Sequence, residues 1–138
     1  VNNALINLGG NILCIGDKTT EGYRIGITNP QKTDVSIIST KIEDKSVVTS
    51  GIYQRQMKVN HHVYHHILNP RTGYSYDNGL ASVTIVSPSS MQGDALSTVC
   101  FSLGLEKGKA LIESLDDVEA CFIDTNNQIT YTTHFKHS

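Results

Sequence analysis

The sequence predicts one α+β domain in which an antiparallel sheet carries two main helices packed on one face. Short segments rich in β-branched residues recur through the first 86 residues, with small polar turns between them. Two stretches with apolar residues at helical spacing follow, between residues 89 and 115. With 138 residues, of which 38% are hydrophobic, the chain is long enough to bury a core of its own.

Nine strands are predicted along the chain. They cover residues 4–8, 12–15, 23–28, 35–40, 45–50, 63–68, 81–86, 120–124 and 129–132, and the last two form a terminal hairpin around Asn126-Asn127. Gly9 and Gly10 separate the first two strands. We interpret them as a kink or bulge between two strand pieces, because glycine accepts the backbone angles that a bulge needs. Asn29-Pro30 is a turn signal after the third strand.

Two helices are predicted between these strands. Pro88 and the two serines after it predict a helix start, with Ser89 or Ser90 as the N-cap. Apolar residues at helical spacing form one stripe that we expect to pack on the sheet: Ala95, Leu96, Val99, Cys100 and Leu103. Gly104 predicts the end of this helix, and residues 106–115 form the second one.

Composition argues against several functions. The net charge is −2, from 11 basic and 13 acidic residues, and no basic stripe of the kind expected for a general nucleic-acid-binding protein is visible. The apolar runs are far shorter than the roughly 20 residues that cross a bilayer. The sequence has neither a G-x-S-x-G elbow nor a G-x-G-x-x-G loop, which argues against a serine hydrolase of that type and a Rossmann nucleotide site. Because the sequence starts at Val1 without Met or a targeting signal, we expect it to be a piece of a longer protein.

The cysteines and histidines are interpreted as structural or surface residues. Cys14, Cys100 and Cys121 are widely spaced and flanked by apolar residues, so we expect buried thiols and neither a disulfide framework nor a zinc site. Histidines occupy positions 61, 62, 65 and 66. Alternation along a strand places at most two of them on one face, so we favour surface histidines over a transition-metal site.

The strongest candidate for a functional site is the segment Gly93-Asp94-Ala95-Leu96-Ser97-Thr98. Asp94 and Thr98 are four residues apart on the predicted helix, which places a carboxylate and a hydroxyl on one face, about 5–6 Å apart at Cβ. Two hard oxygen ligands near a helix N-terminus suit a Mg²⁺ that also holds phosphate. Taken alone, however, this pattern is more often a capping Asp in the first turn and a surface Thr.

A second segment changes that balance. His66-Ile67-Leu68-Asn69-Pro70-Arg71-Thr72-Gly73 precedes the helix, and Pro70 and Gly73 fit a tight turn. Together the two segments resemble the FAD:protein FMN transferases, the ApbE-type flavin transferases. Gly9-Gly10-Asn11 and Thr49-Ser50-Gly51 also resemble motifs of this family, in the family's order. Two positions depart from the family pattern, since Asn69 stands where Asp is common and Gly93 stands where Ala is usual.

The resemblance implies a role for each motif. Asp94 and Thr98 are expected to bind Mg²⁺. The expected cofactor-binding residues are Gly10, Asn11, Thr49, Ser50, Gly51, His66 and Ile67. The expected catalytic residues are Asp94, which binds the metal and takes the proton of the acceptor hydroxyl, and His66, which orients the flavin or the acceptor. Proton transfer through His66 stays an alternative, and Arg71 is expected to contact either a phosphate or solvent.

The implied reaction is the Mg²⁺-dependent transfer of FMN from FAD to a Thr or Ser hydroxyl of an acceptor flavoprotein subunit, with release of AMP. Two alternatives stay open: a FAD pyrophosphatase that gives FMN and AMP, and a non-catalytic FAD-binding module. Family members are longer than this sequence, so the resemblance implies a C-terminal portion that is inactive when isolated. It also implies an extracytoplasmic protein anchored to a membrane through an N-terminal segment, with a cytoplasmic location as the alternative.

Overall fold

The structure is a computed structural model, and it describes residues 1–18 and 20–138. Along the described chain the strands and helices are β1 (Ala4–Asn7), β2 (Asn11–Ile15), β3 (Tyr23–Asn29), β4 (Lys32–Ile42), β5 (Ser46–Gly51), β6 (Gln56–Val59), β7 (His62–His65), β8 (Leu80–Ser87), α1 (Ser90–Leu103), α2 (Leu105–Glu113), β9 (Glu119–Asp124) and β10 (Ile129–Tyr131). No helix of the described residues is long and apolar enough to span a membrane.

Six strands form the main sheet, in the order β1-β2-β5-β8-β9-β10, and each neighbouring pair is antiparallel. The pairs β3–β4 and β6–β7 form two separate two-stranded sheets. β8 is buried along its whole length, as expected for a strand covered on both faces. The α+β class, the antiparallel sheet and the terminal hairpin of β9 and β10 are therefore confirmed.

Each face of the main sheet has its own hydrophobic core. Both helices cover one face, and the core beneath them, the helix-side core, includes Val83, Ile85, Phe101, Ile112 and Phe122. The β3–β4 sheet covers the other face, and this hairpin-side core includes Ile25, Ile27, Val47, Cys121 and Ile123. Because side chains alternate along a strand, consecutive residues of β5 contribute to opposite sides of the sheet. This alternation decides where the candidate site residues lie.

The Gly9-Gly10 pair makes a chain reversal, and the predicted kink or bulge is wrong. β1 and β2 pair with each other from Ala4 opposite Ile15 to Asn7 opposite Ile12, so the chain turns back on itself between them. Both glycines have positive φ, 63° and 97°, which other residues rarely adopt. The backbone N–H of Leu8 closes the turn on the carbonyl oxygen of Asn11 at 2.9 Å. Two glycines between apolar runs fit a bulge or a turn equally well, and only the pairing decides between them.

The strand predicted over residues 63–68 is shorter than expected. β7 ends at His65, and beyond it only an isolated bridge joins Leu68 to Ser75. β7 pairs with β6, a strand that the sequence pattern did not predict. The turn between them, Asn60-His61, has positive φ at both residues, as in the tight turns that favour hairpins.

Helix α1 begins as predicted but rests on the sheet through a different face. Ser89 is the N-cap, and its side chain accepts a hydrogen bond from the backbone N–H of Gln92. The residues of α1 that are buried are Gly93, Ser97, Cys100 and Phe101. Of the predicted stripe, Ala95, Val99 and Leu103 are exposed, whereas Cys100 is fully buried and the half-buried Leu96 packs on the helix-side core. Small residues let the helix backbone approach the sheet closely, so they outcompete the larger apolar side chains for this contact.

Candidate functional site

Helix α1 brings three of the predicted motifs together. The Asn11 side-chain oxygen at the start of β2 accepts a hydrogen bond from the Ser90 hydroxyl at 2.5 Å. Near the end of β5, the Ser50 hydroxyl lies 2.7 Å from the Ser97 hydroxyl and 3.3 Å from the Thr98 hydroxyl. The glycine-asparagine, threonine-serine-glycine and aspartate-threonine segments therefore meet on the helix side of the sheet.

Asp94 lies between these two attachment points. Ser90, Asp94 and Thr98 follow one another at intervals of four residues, so they share one face of α1. The Asp94 side chain is exposed, and within residues 1–18 and 20–138 it forms no ion pair or side-chain hydrogen bond. It is the fifth residue of the helix, beyond the first turn, and Ser89 already caps the N-terminus. The interpretation of Asp94 as a helix cap is therefore wrong.

The donor atoms on this face fit a magnesium ion in part. A carboxylate and a hydroxyl one helical turn apart are hard oxygen ligands of the kind Mg²⁺ prefers. No group of three or more His, Cys, Asp or Glu side chains in the described part of the chain could hold a metal ion. Asp94 and Thr98 would therefore hold Mg²⁺ together with phosphate oxygens, water or ligands from elsewhere, since Mg²⁺ usually keeps several waters and few protein ligands.

A cleft of about 700 Å³ lies on the opposite side of the sheet, between the main sheet and the β3–β4 sheet. It contains three of the predicted cofactor-binding residues, Gly10, Thr49 and His66. The side chains that also line it are Asn7, Ile12, Ile25, Thr28, Val47, Tyr53, Gln54 and Arg55. The lining thus combines apolar side chains with hydroxyl, amide, imidazole and guanidinium groups, a mixture typical of small-molecule sites.

Two of the predicted glycines make room for the wall of this cleft. A Cβ at Gly51 would lie 2.5 Å from Cε1 of Tyr53, and one at Gly10 would lie 2.9 Å from Nε2 of Gln54. The Gln54 amide also donates to the carbonyl oxygen of Thr49 at 3.3 Å. Burial raises the pKa of the Tyr53 hydroxyl, against the smaller opposite effect of a hydrogen bond with Thr28 on β3. These glycines are needed for internal packing of residues 53 and 54.

The two groups of residues are adjacent around the start of β2. Gly10 lines the cleft while Asn11 contacts α1, and Thr49 lines the cleft while Ser50 contacts α1. Consecutive Cα atoms are about 3.8 Å apart. An elongated ligand that passes around the start of β2 could therefore contact the cleft and the Asp94 face together.

The structure separates His66 from its neighbours in the histidine run. His66 is exposed in the cleft, whereas His65 is buried, with Nε2 donating to the carbonyl oxygen of Tyr76 and Nδ1 accepting from the N–H of Ile67. The Ile67 side chain is 5% exposed and belongs to the helix-side core, so it does not line the cleft. Arg71 is exposed in the turn that follows and lines none of the described clefts.

Sequence reasoning missed the segment Tyr53-Gln54-Arg55 and its partner Thr28. A signal was present, because an aromatic, an amide and a cation follow directly after the Thr49-Ser50-Gly51 motif. Thr28, in contrast, has no local signal, since it reaches the cleft only through the packing of the β3–β4 sheet on the main sheet.

Solved structures share this fold. The ApbE protein from Thermotoga maritima matches with a TM-score of 0.83 and 28% identity, over 95% of this chain and 43% of that one. The apo form of the flavinyl transferase ApbE from Pseudomonas stutzeri matches with a TM-score of 0.74 and 30% identity, over 96% of this chain and 42% of that one. The arrangement of sheet and helices is thus that of ApbE proteins.

Curated relatives agree in sequence. The FAD:protein FMN transferase of Klebsiella pneumoniae (strain 342) is 43% identical over 94% of this chain, which spans 40% of that protein. The FAD:protein FMN transferase of Treponema pallidum (strain Nichols) is 36% identical over 94% of this chain, which spans 38% of it. The chain therefore covers about two fifths of the length of these relatives. The model of the ApbE family matches residues 1–122, and the chain belongs to the ApbE family.

Proposed function

We propose that this chain is the C-terminal portion of an FAD:protein FMN transferase. The protein would use Mg²⁺ to transfer FMN from FAD to a Thr or Ser hydroxyl of an acceptor flavoprotein subunit, and it would release AMP. The observation that carries the proposal is that Asn11 and Ser50 contact helix α1 on either side of Asp94, whose carboxylate has no partner among the described residues. Three segments that resemble family motifs are far apart in sequence and share one surface in the fold.

The reaction is a phosphoryl transfer, in which positioning and neutralisation of charge dominate. The acceptor oxygen forms a bond to the phosphorus of the FMN half, the bond from that phosphorus to the bridging oxygen breaks, and AMP leaves. Mg²⁺, when bound, neutralises phosphate charge and polarises the phosphorus that is attacked. Asp94 takes the proton of the acceptor hydroxyl, and Ser50 holds Thr98 in place. His66 orients the flavin or the acceptor from the cleft.

We also propose that a further portion of chain completes the domain. Met91, Val99 and Leu103 are 83%, 44% and 42% exposed on α1, and Leu5 and Leu8 near the edge strand β1 are 47% and 74% exposed. A helix in a finished domain usually buries its apolar stripes. In keeping with this, the chain spans 40% of the Klebsiella relative. Anchoring of the whole protein at the outer side of a membrane, through an N-terminal segment, remains our proposal for its location.

The test uses the protein at the length of its relatives, with FAD, Mg²⁺ and an acceptor protein that carries a Thr or Ser site. Mass spectrometry of the acceptor should show an added FMN, and Asp94→Asn should abolish it. Asp34→Asn is a matched control, because Asp34 is an exposed aspartate of β4 outside the candidate site, and within the described residues its side chain forms no ion pair or hydrogen bond. Both variants should melt close to the wild type if their folds are intact.

The other outcomes select the alternatives. Production of FMN and AMP without labelling of the acceptor would replace the transferase with a FAD pyrophosphatase. FAD binding without any turnover would favour a non-catalytic binding module. Undiminished labelling by Asp94→Asn would remove Asp94 from the catalytic site. The 138-residue chain, tested in parallel, should give no labelling.

A further inference from the structure

The cleft on the hairpin side of the sheet carries positive charge without any acid. Its lining includes Arg55 and His66 and contains no Asp or Glu. The other two clefts in the described part of the chain mix both signs of charge. One is lined by Glu21, Glu43 and Glu119 beside Lys41, Lys45 and Lys136, and the other by Asp77 beside Lys58. In a chain with a net charge of −2, an acid-free cleft with an arginine is a local exception. Its field favours an anion.

Arg55 has no competing acidic partner among the residues that the structure describes. The ion pair found in the described residues joins Lys45 to Asp117, and the Arg55 guanidinium forms no ion pair with any of these residues. Guanidinium presents five donors in a planar fork that matches phosphate oxygens. Thr28, Thr49 and Gln54 add hydroxyl and amide groups to the same cleft. The N–H groups of Gly9 and Gly10 at its edge donate to no acceptor in the described residues.

The backbone that carries Arg55 is held by its two preceding residues. Tyr53 packs its ring on Gly51, and Gln54 lies against Gly10 and donates to Thr49. The packing of the Tyr53 ring on Gly51 anchors the chain at the end of β5, two residues before Arg55. Arg55 follows this anchor at the edge of the cleft, and its own side chain is exposed. A pre-organised cation loses less freedom when it binds an anion than one on a mobile loop.

We propose that Arg55 binds a phosphate group of the flavin nucleotide in this cleft, which His66 also lines. The inference rests on the proposed function, because it names how part of the FAD substrate is held. Arg55 would act as a binding residue that places the flavin half of FAD, next to the face that carries Asp94.

The test compares ligands with and without phosphate. Binding of FMN and of riboflavin is measured by quenching of flavin fluorescence, in the protein at the length of its relatives. Arg55→Gln should weaken FMN binding by at least about tenfold, the effect of one charge-assisted hydrogen bond, and leave riboflavin binding within about twofold. Arg55→Lys should recover part of the loss. Arg24→Gln is the matched control, because Arg24 is an exposed arginine of β3 outside the cleft.

Free phosphate is distinguished in a third arm. Orthophosphate should compete with FMN in the wild type and compete more weakly in Arg55→Gln. If competition by orthophosphate depends on Arg55 while FMN binding does not, the site binds free phosphate and the proposal is overturned. Equal losses for FMN and riboflavin, or unchanged FMN binding, would overturn it as well, and so would an absence of FMN binding by the wild type.

The proposed function is judged separately, by labelling of the acceptor. If Arg55→Gln binds FMN like the wild type while the wild type still labels the acceptor, the phosphate subsite is wrong and the transferase stands. If FMN binding depends on Arg55 but no acceptor is labelled, the subsite stands and the transferase falls.

Discussion

Gly93 is the position where packing of helix α1 can be tested most directly. A Cβ at Gly93 would lie 2.9 Å from Cγ2 of Val48, 3.1 Å from Oγ of Ser87 and 3.5 Å from Oγ of Ser46. The first distance is too short for two carbon atoms, and Val48 is a buried, β-branched side chain with little freedom to move. Gly93→Ala therefore forces α1 away from the sheet.

The expected cost can be estimated from two opposing effects. Overpacking a tight contact costs about 1–3 kcal/mol. Replacing Gly by Ala inside a helix stabilises the folded state by about 1 kcal/mol through helix propensity. We expect the free energy of unfolding to fall by about 1 kcal/mol, and the melting temperature to fall by about 4 °C. The measurement is urea unfolding followed by circular dichroism.

A second substitution identifies the contact responsible. Val48→Ala removes Cγ2, so in that background Gly93→Ala should lose most of its cost and approach the gain in helix propensity. A coupling of about 1 kcal/mol between the two positions is expected from the double-mutant cycle. A Gly93→Ala variant as stable as the wild type, or more stable, would refute the close approach of helix and sheet.

Three further predictions concern titration, thiols and the hydroxyl cluster. Hydrogen bonds from the side chain of Thr133, and secondly from its backbone N–H, lower the pKa of Glu113. The stability that Glu113 contributes is therefore present above its unfolded-state pKa of about 4.3 and is lost as the pH falls through its folded-state pKa. Glu113→Gln should flatten the acid side of a curve of unfolding free energy against pH. Burial raises the pKa of Cys100 to about 11 and of Cys121 to about 12. Both thiols should therefore react with a disulfide reagent at pH 8 only as fast as the chain unfolds. Rapid labelling would contradict their burial. Ser50→Ala removes the hydroxyl near Ser97 and Thr98 and should cost about 1 kcal/mol in urea unfolding, with a larger relative loss in FMN transfer.

Local signals account for the parts of the fold that could be predicted. Ser89 after a proline specifies its helix start, and Gly104 with φ of 82° specifies the end, because each effect depends on a few neighbouring atoms. Most strands follow from runs of β-branched residues in the same way. Helical spacing predicts that Asp94 and Thr98 share one face of α1, which the structure shows, whereas their role as site residues rests on the resemblance to family motifs.

Pairing and packing account for what could not be predicted. The reversal at Gly9-Gly10 depends on β1 pairing with β2, and the cleft depends on β3 packing across the sheet from Thr49. Thr28 and Arg55 become neighbours of His66 only in this arrangement. A resemblance to motifs places residues near a site, but it does not say which face of a strand each of them takes. Ile67, in the core beside an exposed His66, shows the difference.

Helix α1 explains why the predicted apolar stripe was wrong and why this matters for the site. The helix has small or apolar residues on two sides, and the sheet takes the side of Gly93 and Ser97 because it permits the closer approach. The other side, with Val99 and Leu103, is left exposed. The exposed Met91 lies between that side and Asp94, because Met91 and Asp94 are three residues apart on the helix. In the domain that we propose, the portion of chain that covers this stripe also borders the Asp94 face and excludes water from it. Charges act more strongly on phosphate in such an environment. The covering of α1 is therefore a condition for catalysis as well as for stability, which is the physical reason to expect no transfer by the 138-residue chain alone.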